Sequence, residues 1–438
     1  LGKIRYIFFL ISITTFAQTR EKTLEVLQFG LEPQILETLN SLAQMKDDSF
    51  QDQVFLLLSQ DYHRNIQEAA LRYFSEIRSP RAAEALPGMI EDLETWQIGQ
   101  LLTFTNYLGE LKIVTLNQEL VKKLDSDNLA MNAAIIRLFG KLNAVEFSDK
   151  LLALLADPLA PPELTPDLIT SLGQLHHTPA SEEIIRIMED SATSYALKAL
   201  CLTALAEIGG TNAETAVRER LSDDNALVKA SAIRAAAKIP SLSSNADIFI
   251  RALRDSTVGV RIAAAEALAE KPSASALPML LFRAQNDPDA KVQAAALKAI
   301  LAQDRGEWEK LILNTIENQK SNSELWHSSV KLALDNRLGS AIPKFRAFLI
   351  SEASMTNSPL VGYLAGQISL TTWEGPDELY PEFFTMNNPS AQILILRIIQ
   401  RRRLVGMSDQ MKEWARGTRS SQVRIFIDNL LKEWTPVP

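Results

Sequence analysis

Between residues 223 and 302 the apolar positions follow two periods at once. The short one starts from Val228, Val260 and Val292. Counting three, four, seven and eight residues on from each reaches Ser231, Ala232, Ala235 and Ala236, then Ala263, Ala264, Ala267 and Leu268, then Ala295, Ala296, Ala299 and Ile300. That spacing puts one apolar stripe on an α-helix and does not fit a strand. The long period sets Asp223, Asp255 and Asp287 32 residues apart, each in a turn just ahead of such a helix. A second amphipathic run separates one apolar helix from the next turn, so the repeating unit is a helical hairpin. One hairpin cannot bury its own apolar face, and the pattern therefore predicts a solenoid in which each hairpin shares its core with its neighbours.

Two local consequences follow. Helices separated mainly by alanine can approach at the short end of the usual range of about 8–10 Å. The three aspartates, and Asp125 and Asp127 in the turn DSDN, lie where a helix start leaves amide hydrogens without partners. A carboxylate there is expected to act as an N-cap, contributing about 1 kcal/mol.

The stretch DSTVGVRIAAAEALAE resembles the second half of a HEAT repeat, through its turn residue Asp255, Val260, Arg261 and the alanine run. In that family the turn aspartate bonds to a basic residue of a neighbouring repeat, a role the resemblance assigns here to Asp223, Asp255, Lys229 and Arg261. The pattern departs at Gln293, which replaces the basic residue, and at Lys271 and Pro272. The resemblance covers 190–302 and implies an all-α fold, a right-handed α–α superhelix; counting turns at this spacing along the chain gives about twelve HEAT-like hairpins. It also implies that the second helices line the concave face.

Outside that stretch the same register extends in both directions. Ile66, Ala69, Ala70, Tyr73, Phe74 and Ile77 form one inward stripe, and Met131, Ala134, Ile135, Leu138, Phe139 and Leu142 form another. Pro166 is compatible only with the first turn of its helix. Residues 18–60 read as N-terminal capping helices, 61–302 as regular repeats and 303–438 as divergent repeats with an aromatic and basic cap. Five of the six tryptophans lie beyond residue 303, where the core changes from alanine to bulkier side chains. The segment 371–390 is the longest irregular stretch; it reads either as a projecting loop or as a segment tucked back to seal the terminal core.

The 438 residues are 46% hydrophobic, and 45 basic against 53 acidic residues give a formal charge of -8. That balance argues against nucleic acid as a partner. Residues 1–17 carry Lys3 and Arg5, then IFFLISITTF, then Thr15, Phe16 and Ala17. This is the order of a secretory signal peptide, with cleavage expected after Ala17 and export to a periplasm or another extracytoplasmic compartment. The single cysteine, Cys201, allows no disulfide within the chain, and its repeat position reads as a small buried apolar site.

Candidate binding residues fall in three groups. Six residues beyond the first buried position, the clear second helices carry Arg72, Arg137, Thr203, Arg234, Glu266 and Lys298, pointing away from the core. The basic members read either as a strip that receives an acidic protein segment or as a solvated face. Residues 391–438 hold nine basic against four acidic residues, with Arg401, Arg402 and Arg403 adjacent. They read as a site for an acidic partner or an anionic membrane surface, or as cations favoured at a helix C-terminus. Trp373 leads the third group, with Tyr380, Phe383 and Phe384, as an aromatic contact for a partner.

Motifs for chemistry do not accumulate. His176 and His177 sit in a connection without a third spaced ligand, and neither a phosphate-cradling glycine motif nor a zinc-binding H-E-x-x-H occurs. No catalytic, cofactor-binding or metal residue is assigned. The expectation is a noncatalytic protein-binding or scaffolding solenoid of a bacterial cell envelope. The alternatives are a self-associating or membrane-bridging structural component and, at greater distance, a lyase or enzyme subunit built on such repeats.

Overall fold

The computed structural model describes residues 20–59, 63–318 and 323–434; the expected signal peptide lies outside them. Every regular element among these residues is helical. The chain divides into two compact units, residues 1–220 and 221–438.

The first unit contains six hairpins. Their second helices are Glu32–Met45, Arg64–Glu76, Ile98–Glu110, Leu129–Leu142, Thr165–Gln174 and Tyr195–Ile208, each packed on the next in the series. The helix Gly210–Arg220 ends this unit. The second unit opens on the helix Ala226–Lys238. Its further second helices are Val258–Glu270, Ala290–Gln303, Ser323–Asp335, Pro359–Leu370, Pro389–Arg401 and Ser421–Trp434, again packed in series. The stretch read as N-terminal capping helices contains one hairpin more than the expected twelve, a helix over 20–29 followed by Glu32–Met45 with its turn at Gly30 and Leu31.

The alanine register is realised. Val228, Ala232, Ala236, Val260, Ala264, Val292 and Ala296 are fully buried. Ser231 departs from the expectation and stays half-exposed, as do Ile77 and Leu142 at the ends of their helices. A second buried line runs through Ile233, Ala265 and Leu297. In the first unit the second helices approach closely enough to require glycine. A Cβ on Gly173 would lie 2.9 Å from the Ala204 backbone, and one on Gly140 would lie 3.1 Å from the Ser171 backbone.

The aspartates of the turns do something other than capping. The Oδ1 atoms of Asp223 and Asp255 accept the amides of Asn225 and Thr257 at 2.8 Å, and that of Asp287 accepts the amide of Asp289 at 3.1 Å. Each is a turn-closing bond two residues ahead in the chain. Helix capping falls to the later residue. Asn225 accepts from Leu227 and Val228, and Asp289 accepts from Lys291 and Val292. Likewise Asn128, not Asp125 or Asp127, caps Leu129–Leu142 by accepting from Met131 at 3.0 Å.

The same carboxylates tie successive repeats. Lys229 Nζ lies 3.3 Å from Asp255 Oδ2. Arg261 makes a two-pronged contact with Asp287, Nε to Oδ2 at 2.8 Å and Nη2 to Oδ1 at 2.9 Å, with Arg283 Nη1 at 3.3 Å from Oδ2. The Asp287 side chain is wholly excluded from solvent. This realises the assignment implied for Asp255, Lys229 and Arg261, and extends it to Asp287.

Beyond residue 303 bulk replaces alanine. Trp308, Trp326 and Phe345 are fully buried, and the Trp326 ring lies 4.8 Å from that of Phe348. The stretch 371–390 is not a projecting loop. Gly375–Leu379 and Tyr380–Phe384 together serve as the first helix of a hairpin, with Tyr380 and Phe383 fully buried.

Candidate functional site

Each second helix buries one line of side chains against its hairpin partner and another against the neighbouring second helix, which leaves a third line in solvent. In the first unit the two arginines predicted on that line are paired. Arg72 donates to Glu68 on its own helix at 2.7 Å, and Arg137 reaches Asp167 on the next second helix at 2.8 Å. Thr203 donates to the Ala199 carbonyl.

In the second unit the line is partly open. Arg234 and Glu266 pair between adjacent helices at 2.9 Å. Lys298 is exposed and has no acidic partner among the described residues. Sequence reasoning missed two further cations on this line, Lys331 and Arg397. Lys331 donates to Asp335 at 2.8 Å, a bond that raises its pKa, whereas exposed Arg397 has no such partner among the described residues. Their helices bury residues on both sides of the expected stripe, such as Leu325 with Trp326 and Ala391 with Gln392, which blurs the register on which both depend.

Where Val258–Glu270, Ala290–Gln303 and Ser323–Asp335 lie side by side, a groove of about 470 Å³ opens. Ile262, Ala269 and Ala294 supply its apolar floor, and Glu270, Lys291, Lys298 and Glu324 stand around it. None of these four charged groups pairs with another side chain among the described residues. Beside the groove, the His327 ring stacks on Tyr363 with centroids 3.8 Å apart, and burial pulls the imidazole pKa down.

The basic C-terminal cluster separates into unlike members. Arg402 is half-buried and committed internally. Its Nη1 lies 2.8 and 3.0 Å from the two Asp377 oxygens, and its Nη2 donates to the Thr371 and Trp373 carbonyls at 3.2 and 3.4 Å. It fastens the segment before the Gly375–Leu379 turn. Arg401 is exposed and donates to the Ser369 carbonyl at 2.9 Å. Arg403 is exposed in a left-handed conformation, φ 52°, just past its helix end. Trp373 is half-buried, its indole lying over Gly375, where a Cβ would come within 2.3 Å of the ring.

Groups with catalytic potential do not converge. Cys201 is buried, and desolvation pushes its thiol up to about 12. His176 Nδ1 lies 2.5 Å from the Glu207 carbonyl oxygen; His177 Nε2 approaches Asp149 at 3.3 Å without hydrogen-bond alignment. Among the described residues no group of three or more His, Cys, Asp or Glu side chains could hold a metal ion. No helix among them is long and apolar enough to cross a membrane.

The profile of a family described as Spirochaete HEAT repeat protein matches residues 27–429. The chain belongs to that family. The match extends the HEAT architecture well past the alanine-rich repeats, over the aromatic C-terminal hairpins of this HEAT repeat protein. No curated protein matches its sequence. Among solved structures, the Kap95:Nup1 complex is similar at a TM-score of 0.47 and 12% identity, over 94% of this chain and 66% of the other. Importin beta in an ammonium sulfate condition gives 0.43 and 10%, over 95% and 62%. The complex of CpcE and CpcF of phycocyanin lyase from Nostoc sp. gives 0.27 and 15%, over 73% and 94%. The chain thus spans about two thirds of the length of the first of these.

Proposed function

We propose that this HEAT repeat protein is a noncatalytic protein-binding or scaffolding component of a bacterial cell envelope, working through the solvent line of its second helices. The groove around Lys298 carries the reading. Its small apolar floor admits another backbone closely, and its unpaired charges lose nothing internal when they engage a partner. Folded repeats offer such surfaces in series, which is the usual route by which solenoids bind. The charged start, apolar run and small-residue end of 1–17 support export, and a net charge of -8 argues against nucleic acid.

The test is photo-cross-linking in intact cells with a reactive residue at Ser328, on the groove wall. A discrete cross-linked protein in the envelope fraction is the expected result; a chain that stays uncross-linked, or fractionates with the cytoplasm, overturns the reading.

A second reading, docking of the C-terminal end to an anionic bilayer, is supported by exposed Arg401 and Arg403 beside Val405, which is 51% exposed. Flotation with phosphatidylglycerol vesicles tests it. Binding should fall in the Arg401→Glu/Arg403→Glu variant, and an unmodified protein that stays out of the vesicle fraction rejects it.

A further inference from the structure

We infer that a pocket near the C-terminal end of the second unit is a binding site for a small organic phosphate. It shares no lining residue with the Lys298 groove. Its walls are the turns inside three successive hairpins, those that follow the helices Ala341–Glu352, Tyr380–Phe384 and Ser408–Gly417. They enclose about 390 Å³. That is more room than a free phosphate fills, and it lies in the range of small-molecule sites. Thr356 comes from the first turn, Asn387 from the second, and Thr418, Arg419 and Ser420 from the third.

The acceptors of these turns are engaged within the fold, while several of their donors are not. The Asn387 carbonyl accepts the Asn357 amide at 2.9 Å, the Met386 carbonyl accepts Gln392 Nε2 at 2.8 Å, and the Thr418 carbonyl accepts Arg424 Nη2 at 3.0 Å. Three hydroxyls also accept from within. Thr356 Oγ1 takes Asn387 Nδ2 at 3.2 Å, Thr418 Oγ1 takes the Ser420 amide at 3.2 Å, and Ser420 Oγ takes the Val423 amide at 3.3 Å. A hydroxyl that accepts still has its hydrogen to give. None of the three donates to a group among the described residues. The bonds also tie turn to turn, as Asn387 does with Thr356 and Asn357, so the donors are in place before a ligand arrives.

Charge selects the same kind of ligand. Among the described residues that line the pocket, Arg419 is the one charged side chain, and no carboxylate joins it. Arg419 is exposed and pairs with no acid among the described residues. Its neighbours are committed, Lys412 to Asp409 and Arg424 to the Ala415 and Thr418 carbonyls. Residues 391–438 hold nine bases against four acids, so the surrounding field also favours an anion. Donors reach the pocket from three turns, which suits the three terminal oxygens of a phosphate better than the two of a carboxylate. Phe384, half-buried and stacked on Trp414 with centroids 3.9 Å apart, supplies an aromatic wall for the organic part.

The probe is phenyl phosphate, titrated calorimetrically into the full chain. Saturable binding is expected. Arg419→Gln should weaken it about ten-fold and Thr356→Val about three-fold. Arg419→Lys should recover most of the binding, which a damaged fold would not allow. Arg416→Gln removes a nearby exposed cation outside the pocket and should leave the affinity unchanged. Inorganic phosphate should bind more weakly and be displaced by phenyl phosphate, and benzoate should not bind. Absence of saturable binding, or binding indifferent to Arg419→Gln, overturns the site. An equal loss in Arg416→Gln overturns it too, because it marks general attraction to a basic end. Inorganic phosphate binding as tightly as phenyl phosphate overturns the organic ligand, and benzoate binding as tightly overturns the phosphate.

Discussion

The second unit contains two ways of joining hairpins. From 226 to 303 alanine cores bring helices close together, and the turns are sewn by Lys229 to Asp255 and Arg261 to Asp287. From 305 to 434 the cores are filled by Trp308, Trp326, Phe345, Tyr380 and Phe383, and the charge contacts move elsewhere, as in Arg402 with Asp377 and Arg346 with Glu382. Thin interfaces bury little apolar area per repeat, so directional bonds carry more of their specificity; thick ones hold through area and dispersion. The same hairpin tolerates either solution.

The contrast can be broken from both sides. Trp326→Ala empties a fully buried site in the thick region and should cost about 3–5 kcal/mol in urea unfolding. Arg261→Met in the thin region leaves Asp287 buried with only Arg283 beside it, and should cost about 3 kcal/mol. Adding Asp287→Asn should recover much of that loss, since the uncompensated charge is then gone. Ala264→Leu forces three more carbons between close helices and should cost about 1–3 kcal/mol by the same measurement. An unchanged stability there would mean that the helices are not in close contact. Arg402→Met, at a half-exposed pair, should cost only about 1 kcal/mol, and the loss should shrink in high salt.

The smallest effect separates the regions by pH. Burial alone would raise the Asp255 pKa, but the Thr257 amide and the Lys229 ammonium outweigh it and hold the group below its ordinary value of 3.8. A carboxylate lowered on folding stabilises the native state above its unfolded pKa, and that contribution disappears as pH falls through the folded one. Acid unfolding monitored from pH 5 downwards should show a steeper loss for the natural protein than for Lys229→Met. Equal slopes would remove Asp255 from the account.

How much of this was legible depended on the size of the core side chain. Alanine runs with a strict period exposed the register directly, so Val260, Ala264 and Ala296 were assigned inward from spacing alone. Where a tryptophan or glutamine joins the core line, as at Trp326 and Gln392, the stripe widens and the outward residue cannot be counted off. Lys331 and Arg397 were missed for that reason. Arg402 differs from its neighbours for another reason: three adjacent arginines look alike in one dimension, and only the fold brings Asp377, 25 residues away, beneath the middle one. The turn aspartates make the expected bond to a neighbouring repeat at Asp255 but not the expected cap, because a turn-closing bond and a helix cap need the same residue type within two positions of each other.

One oxygen of Asp255 closes its own turn while the other holds a lysine from the repeat before, and Asp287 closes its turn with one oxygen while both oxygens hold an arginine from the repeat before. Fraying at either member of a pair therefore withdraws support from its sibling, and the segment from 226 to 303 should open as a block rather than hairpin by hairpin. Amide exchange would display that as a shared opening free energy along the whole segment, a stiff middle whose protection rises and falls together.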